Sequence, residues 1–228
     1  MQVTIKTLTP LWTGGIEAGK CDRIHETGIL GSLRWWMEVL VRGMGGKVDD
    51  PTSENRSGFD PKKFDAKVYR QFQTEAERRQ YLRDAGLCDV SQIFGATGWK
   101  HRFRLEIEDK TSTIQFRDEY ANNRFLTARE GEFKIKIQPL DPNFDLEIIG
   151  GLIQFIADWS TLGARPLHDF IMGTARGKRM AAKIKISRNY THENNNWREM
   201  NSARDEKTQN ISDTKGFLHS LLIAGEQP

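Results

Sequence analysis

The chain has 228 residues, of which 37% are hydrophobic and 29% are charged, a composition that fits one generous soluble domain or two small ones. No apolar stretch approaches the roughly 20 residues of a membrane span, and the polar start has no signal-peptide character, so we expect a cytoplasmic protein. Two cysteines, Cys21 and Cys88, cannot make a disulfide framework. Because 34 Lys and Arg residues stand against 31 Asp and Glu residues, any nucleic-acid binding must depend on where the charges lie.

The first part of the chain predicts a strand, a helix and a charged accessory segment. Alternating apolar residues predict a half-buried strand over residues 2–8. Apolar residues at steps of three and four predict an amphipathic helix over residues 28–44. Residues 47–60 are polar and turn-prone. Residues 65–84 then predict a single, heavily charged accessory helix that ends at Gly86.

The second part predicts two neighbouring strands, a helix and a last strand. Residues 100–108 and 132–140 alternate apolar and polar side chains, and a long arm over residues 109–131 joins them. Residues 145–162 carry apolar side chains at helical spacing and predict a buried helix. A last strand is predicted over residues 180–187.

The order of these elements is typical of one fold class. Strand, helix, strand, strand, helix, strand indicates an α+β, ferredoxin-like (RRM-like) fold, in which two helices cover one face of an antiparallel sheet, here with an accessory helical insertion. We expect one such domain over residues 1–190, with the insertion at about 47–99 and the arm at about 109–131. Residues 191–228 predict a polar tail with a short terminal helix.

A glycine-containing loop before the first helix holds Lys20, Arg23 and His25. Backbone N–H groups at a helix start favour an anion, but the interleaved Asp22 and Glu26 are as typical of an ordinary charged loop. Asp22 and His25 are also the candidates for acid–base chemistry in an endonuclease. The histidines show no ligand spacing with the cysteines, so we predict no metal site.

The polar face of the first helix presents Arg34, Glu38 and Arg42, with Trp35 beside them. Periodicity alone favours a solvated face with internal ion pairs. The functional alternative is that the guanidinium groups bind phosphates and the indole stacks on a base.

Two of the predicted strands are rich in basic residues. No acid lies between Asp169 and Glu193, a segment with six basic residues: Arg176, Lys178, Arg179, Lys183, Lys185 and Arg188. A second basic group, in which Arg102 and Arg104 are expected on the polar face of their strand, comprises Lys100, His101, Arg102 and Arg104. Two basic strands in one sheet, both with alternating side chains, would form a positive stripe that follows a sugar-phosphate backbone. Solvated strand faces are the alternative.

Three stretches of the chain carry a resemblance to a known family: residues 8–15 (LTPLWTGG), 21–46 (CDRIHETGILGSLRWWMEVLVRGMGG) and 88–105 (CDVSQIFGATGWKHRFRL). They resemble the RAMP superfamily of CRISPR effector proteins and, within it, the Cmr branch, in particular the first-numbered Cmr subunit of type III-B complexes. The pattern E-T-G-I-x-G-S-L-R-W-W followed by Q-x-F-G-x-T-G-W is long and ordered. The RAMP fold is also ferredoxin-like.

The resemblance implies RNA binding without a cofactor, near the 3' end of a guide RNA and together with other RAMP subunits. By position, it implies a first contact site in the loop and the start of the first helix: Lys20, Arg23, His25, Ser32, Arg34 and Trp35. It implies a second site in the loop before the last strand: Gly163, Arg165, Gly173, Arg176, Gly177 and Lys178. Two departures are that Ser91 stands where the family often has a second Cys, and that this second loop lacks the usual dense glycines. The chain is also short for a branch whose members often carry two ferredoxin-like halves.

Three functional hypotheses follow. The leading one is a noncatalytic RNA-binding subunit of a type III effector complex in antiviral defence, which holds the guide RNA 3' region and helps engage single-stranded target RNA; its contact residues extend to Arg42, Lys100, Arg102 and Arg179. The second is a metal-dependent target-RNA endonuclease that uses Asp22. The third is a structural cap of the effector filament, with Trp12, Trp36 and Trp99 packed inside and the helix at 65–84 against a neighbour.

Overall fold

The computed structural model describes residues 1–17, 19–49, 58–118, 124–142, 144–163 and 184–187. The strands are β1 (Gln2–Thr7), β2 (Phe103–Asp109), β3 (Ser112–Asp118), β4 (Arg124–Glu130), β5 (Glu132–Pro139) and β6 (Ile184–Ser187). The α-helices are α1 (Glu26–Gly43), α2 (Ala66–Gln71), α3 (Glu75–Asp84), α4 (Asp89–Phe94) and α5 (Glu147–Trp159), and a 3-10 turn spans Pro61–Lys63.

Four of the strands form one sheet in the order β2-β5-β1-β6. β1 is antiparallel to both of its neighbours, with Ile5 opposite Phe133 on one side and Ile186 on the other. Alternate positions such as Lys6, opposite Glu132, point to the other face. The two central strands and the strand-helix order match the predicted ferredoxin-like fold, which is thereby confirmed.

The two long helices bury apolar stripes. α1 buries Ile29, Leu33 and Met37, and Val41 extends the stripe at steps of four. α5 is shorter than predicted and buries five residues: Ile149, Gly150, Leu152, Ile153 and Ile156. None of the helices in the described ranges is long and apolar enough to cross a membrane.

The described residues fall into two compact units. The first contains residues 1–33, 105–138 and the described residues from 146 onward, and the second contains residues 34–104 and 139–145. The predicted insertion at about 47–99 thus lies within the second unit. The predicted tail and terminal helix lie outside the described residues.

The single helix predicted over residues 65–84 is wrong, because two helices occupy that segment. Phe72 leaves the helical conformation with ψ of 129°, and Thr74 begins α3 with a capping box. Its side chain accepts from Glu77 N over 3.2 Å, and the Glu77 carboxylate accepts from Thr74 N over 3.1 Å. This reciprocal cap stabilises the start of a second helix. The charged residues on both sides of it resemble those of one continuous helix, so the break was not predicted.

The expected placement of Arg102 on the polar face of its strand is also wrong. Arg102 precedes β2 and is only 5% exposed. Its guanidinium donates to Glu75 over 2.5 Å and to Asp141 over 2.7 Å, and it lies 5.0 Å from the centre of the Phe144 ring. Two carboxylates and an aromatic face compensate the loss of water around this cation.

The arm predicted over residues 109–131 is a β-hairpin. β3 and β4 pair antiparallel from Ser112 opposite Glu130 to Asp118 opposite Arg124. Gly131 joins the hairpin to β5 with φ of +129°, a conformation that favours glycine.

Candidate nucleic-acid interface

The loop between β1 and α1 is held by the base of the β3–β4 hairpin. Leu11 and Arg129 exchange two backbone hydrogen bonds, each with 2.8 Å between N and O. Farther along, Cys21 N donates to Thr127 Oγ1 over 2.7 Å, and Thr127 N donates to Gly19 O over 3.1 Å. The loop is therefore hydrogen-bonded to β4 at Leu11 and again at Gly19 and Cys21.

Side chains at the base of the hairpin make a second set of contacts with the loop. Arg129 donates to Asp22 O over 3.3 Å and to Thr111 O over 2.5 Å, and its guanidinium lies 3.7 Å from the Asp109 carboxylate. Asp109 accepts from Ile24 N over 2.9 Å. Burial raises the pKa of Asp109, but hydrogen bonds from Thr111 and Ile24 outweigh burial and hold that pKa below its usual value.

Thr13 fixes the end of the loop against the first turn of α1. Its Oγ1 accepts from His25 N over 2.9 Å and donates to Arg23 O over 3.4 Å. A Cβ atom at Gly28 would lie 2.6 Å from Thr13 O, closer than real Cβ contacts allow. Glycine at position 28 therefore permits the close approach of helix and loop.

Two cations predicted to contact RNA lie exposed on this loop. The Lys20 and Arg23 side chains are 55% and 51% exposed, and each pairs with a nearby glutamate: Lys20 with Glu17, and Arg23 with Glu26 over 2.8 Å. Glu26 raises the pKa of the Arg23 guanidinium. Exposed ion pairs contribute roughly 0–1 kcal/mol, so a phosphate can replace either glutamate at little cost.

Asp22 and His25 form a hydrogen-bonded pair beside these cations. His25 Nε2 lies 2.9 Å from Asp22 Oδ1, and this bond lowers the pKa of Asp22. An ionised carboxylate only accepts hydrogen bonds, so the ring nitrogen is the donor. In the part of the chain that the structure describes, no group of three His, Cys, Asp or Glu side chains could hold a metal ion.

Ser32 connects α1 to the start of the second predicted contact loop. This buried residue accepts from Gly163 N over 3.2 Å, and Gly163 has φ of +133°. The remaining predicted residues of that loop lie outside the described residues: Arg165, Gly173, Arg176, Gly177, Lys178 and Arg179. Of this second site, the structure thus places only its first glycine.

Two arginines predicted to contact RNA have internal partners. Arg34 donates to Glu38 over 2.8 Å, to Gly95 O over 2.7 Å and to Ser91 Oγ over 3.1 Å. Arg102 is buried between two carboxylates, as described above. Both guanidinium groups are thus held by partners within the second unit.

The other predicted contact residues are at the surface. Trp35 is 45% exposed and lies edge-to-face with Trp36, with ring centroids 4.5 Å apart. Arg42 is exposed and donates to Asp49 O over 2.9 Å, and Lys100 is exposed. These side chains can reach a ligand without breaking a buried contact.

Sequence reasoning missed the hairpin residues that position the loop, namely Asp109, Thr127 and Arg129. The sequence did contain one signal: an acidic residue, Asp109, and a basic residue, Arg129, lie near the two ends of the predicted arm. A hairpin brings its ends together, so a hairpin in place of an unspecified arm would have paired Asp109 with Arg129.

Comparison with known proteins supplies a family. The model of the RAMP superfamily matches residues 4–166. The chain is similar in structure to Cmr1 from Pyrococcus furiosus in its apo form, with a TM-score of 0.52 and 12% sequence identity. That alignment covers 97% of this chain and 58% of that chain, so this chain spans less than two thirds of the length of that Cmr1. At this identity the likeness shows a shared fold. The comparison with curated proteins found no match.

Proposed function

Because the chain belongs to the RAMP superfamily, we propose that it is a noncatalytic RNA-binding subunit of a type III CRISPR effector complex. In this role it acts in the cytoplasm in antiviral defence, beside other RAMP subunits. It holds the 3' region of a guide RNA and helps engage single-stranded target RNA. Base pairing supplies the sequence information, so the protein needs contacts to backbone and base faces and no cofactor.

One observation supports this proposal: the backbone of the β1–α1 loop is hydrogen-bonded to the hairpin while two of its cations stay exposed. Thr127 accepts a hydrogen bond from Cys21 N, and Arg129 donates one to Asp22 O, so both residues hold the loop backbone. The Lys20 and Arg23 side chains are more than half exposed, and each pairs with a glutamate. A loop that is already ordered in the free protein loses less conformational entropy when RNA binds. Each Lys or Arg that binds an RNA phosphate also releases a counterion from the RNA, which adds to the affinity.

Salt-dependent binding to single-stranded RNA tests the proposal. We expect a labelled 20-nucleotide RNA to bind the full chain with an affinity that falls as salt rises. The double substitution Lys20→Gln and Arg23→Gln removes two cations and should make the slope of log K against log salt shallower by about 1.4, since each phosphate contact to a single strand contributes about 0.7. A matched control, Lys110→Gln with Lys136→Gln, removes the same charge elsewhere. Binding that is absent, or indifferent to salt, would refute the electrostatic contact.

The second candidate function is a metal-dependent RNA endonuclease that uses Asp22. Its carboxylate is ionised and half exposed, which is what a metal-dependent endonuclease would require of a ligand. His25 already occupies one of its oxygens, and among the described residues no second carboxylate joins it. The test is cleavage of labelled complementary RNA by the assembled complex: an Asp22→Ala complex that keeps every product excludes the catalytic role.

A further inference from the structure

The accessory segment of the second unit contains a cluster of six aromatic rings. Phe64 lies at its centre and contacts four others, with ring centroids 5.1 to 5.8 Å apart. The sixth ring joins through Tyr81 at 5.2 Å. The members are Phe59, Phe64, Tyr69, Phe72, Tyr81 and Trp99, and we call them the ring cluster.

The ring cluster is only partly covered. None of its six side chains is fully buried. The fully buried apolar side chains of the same unit are other residues, among them Leu82, Leu87, Val90 and Phe103. The six rings of the cluster keep some exposed surface of their own.

Five exposed cations lie next to the rings along the chain. Lys62 and Lys63 stand between two ring residues, Lys67 and Arg70 flank Tyr69 in α2, and Lys100 follows Trp99. Among the residues that the structure describes, none of the five has an acidic partner within ion-pair distance. The inner arginines of this unit differ: Arg34, Arg78, Arg79, Arg83 and Arg102 each pair with a carboxylate.

Two acids in the same stretch of chain, Asp60 and Asp65, are already engaged. Asp60 accepts from Lys62 N over 3.0 Å, and Asp65 accepts from Lys67 N over 2.7 Å. Both carboxylates cap helical turns, which fixes them against the backbone. Among the described residues, this segment therefore combines exposed cations that have no acidic partner with partly exposed aromatic rings.

We propose that the ring cluster and its five cations form a second surface for single-stranded RNA, separate from the β1–α1 loop. Bases stack on the rings, and the lysines follow the phosphates. An acidic protein segment would satisfy the cations but leave the rings without a matching partner, so the combination favours nucleic acid. This inference rests on the proposed function, because it takes RNA as the ligand from it. The residues that carry the inference are different from those of the β1–α1 loop.

The experiment measures binding of a labelled 20-nucleotide uridine-rich RNA to the wild-type full chain and to three variants. The surface variant carries Lys62→Gln, Lys63→Gln, Lys67→Gln and Arg70→Gln, all at exposed positions. Its matched control carries Lys6→Gln, Lys47→Gln, Lys110→Gln and Lys136→Gln, with the same change in net charge. The third is the double variant of the β1–α1 loop at Lys20 and Arg23. Circular dichroism and urea unfolding verify that each version is folded.

We expect the surface variant to lose at least tenfold in affinity near 0.1 M salt and to show a salt slope shallower by up to about 3, with the control much less affected. Ultraviolet crosslinking of wild type to the same RNA should modify peptides that contain ring-cluster residues. Unchanged affinity together with no crosslinks in residues 59–72, 81 or 99 overturns the inference, even where the loop variant loses binding and the proposed function stands. Equal binding of poly-glutamate and RNA, without crosslinks there, assigns the surface to an acidic protein instead.

Discussion

Arg34 donates from Nη1 to the carbonyl oxygen of Gly95 over 2.7 Å. This bond joins the two longest stretches of the family pattern, residues 26–36 and residues 92–99, which are far apart in the chain. Gly95 has φ of +88°, and a Cβ there would lie 3.0 Å from His101 N. The glycine and the arginine thus depend on each other, because the turn that glycine permits at this φ presents the carbonyl that the guanidinium binds.

Replacement of Arg34 by Lys is expected to lower stability more than RNA affinity. Lysine keeps the charge, but its single ammonium group cannot replace the three nitrogens of the guanidinium that donate to Glu38, Gly95 and Ser91. We expect a loss of about 2 kcal/mol in the free energy of unfolding, measured with urea. Arg42→Lys, which alters one exposed bond to Asp49, is the control and should cost under about 0.5 kcal/mol. A drop in RNA affinity at unchanged stability would instead make Arg34 an RNA contact.

Two glycines of α1 should respond in opposite ways to alanine. At Gly28 a Cβ meets the Thr13 backbone at 2.6 Å, so Gly28→Ala forces helix and loop apart and should cost about 1–3 kcal/mol. At Gly31 nothing lies within 4 Å of the added atom, and Gly31→Ala should stabilise the exposed helix by up to about 1 kcal/mol. Thermal unfolding of both variants measures the difference. Equal shifts of the two midpoints would show that helix and loop do not meet at Thr13.

Thr127→Val tests whether the hairpin supports the RNA-binding loop. The change keeps the shape of the side chain but leaves Cys21 N without its acceptor at 2.7 Å. We expect a loss of about 1–2 kcal/mol, and hydrogen exchange at the Cys21 amide should become faster. RNA affinity should fall although no cation is removed. Ser112→Ala, at an exposed position of β3, serves as the control, and the support is absent if both variants exchange at the wild-type rate.

The predictable part of the molecule is the part governed by local periodicity. Alternation in β1 and β5 and helical spacing in α1 set the sheet and its covering helix, because burial of one face fixes those patterns. The burial of Arg102 was not predictable, since its partners Glu75 and Asp141 are 27 and 39 positions away. Alternation carries no information on such distant pairs. The cations of the β1–α1 loop, Lys20 and Arg23, were predicted from the sequence. Thr127, which accepts a hydrogen bond from this loop, was not, because its hairpin was predicted only as an arm without secondary structure.

The pH dependence of stability should reveal the buried role of Asp109. Its pKa is lowered in the folded protein by hydrogen bonds that outweigh burial, so the unfolded chain binds its proton more readily. The carboxylate therefore contributes stability above its unfolded pKa of about 4, and the contribution is lost as the pH falls through the folded value. Urea unfolding between about pH 6 and pH 3 should show a shallower loss of stability for Asp109→Asn than for wild type. An Asp109→Asn curve parallel to wild type would mean that the Ile24 and Thr111 bonds do not favour the ionised form.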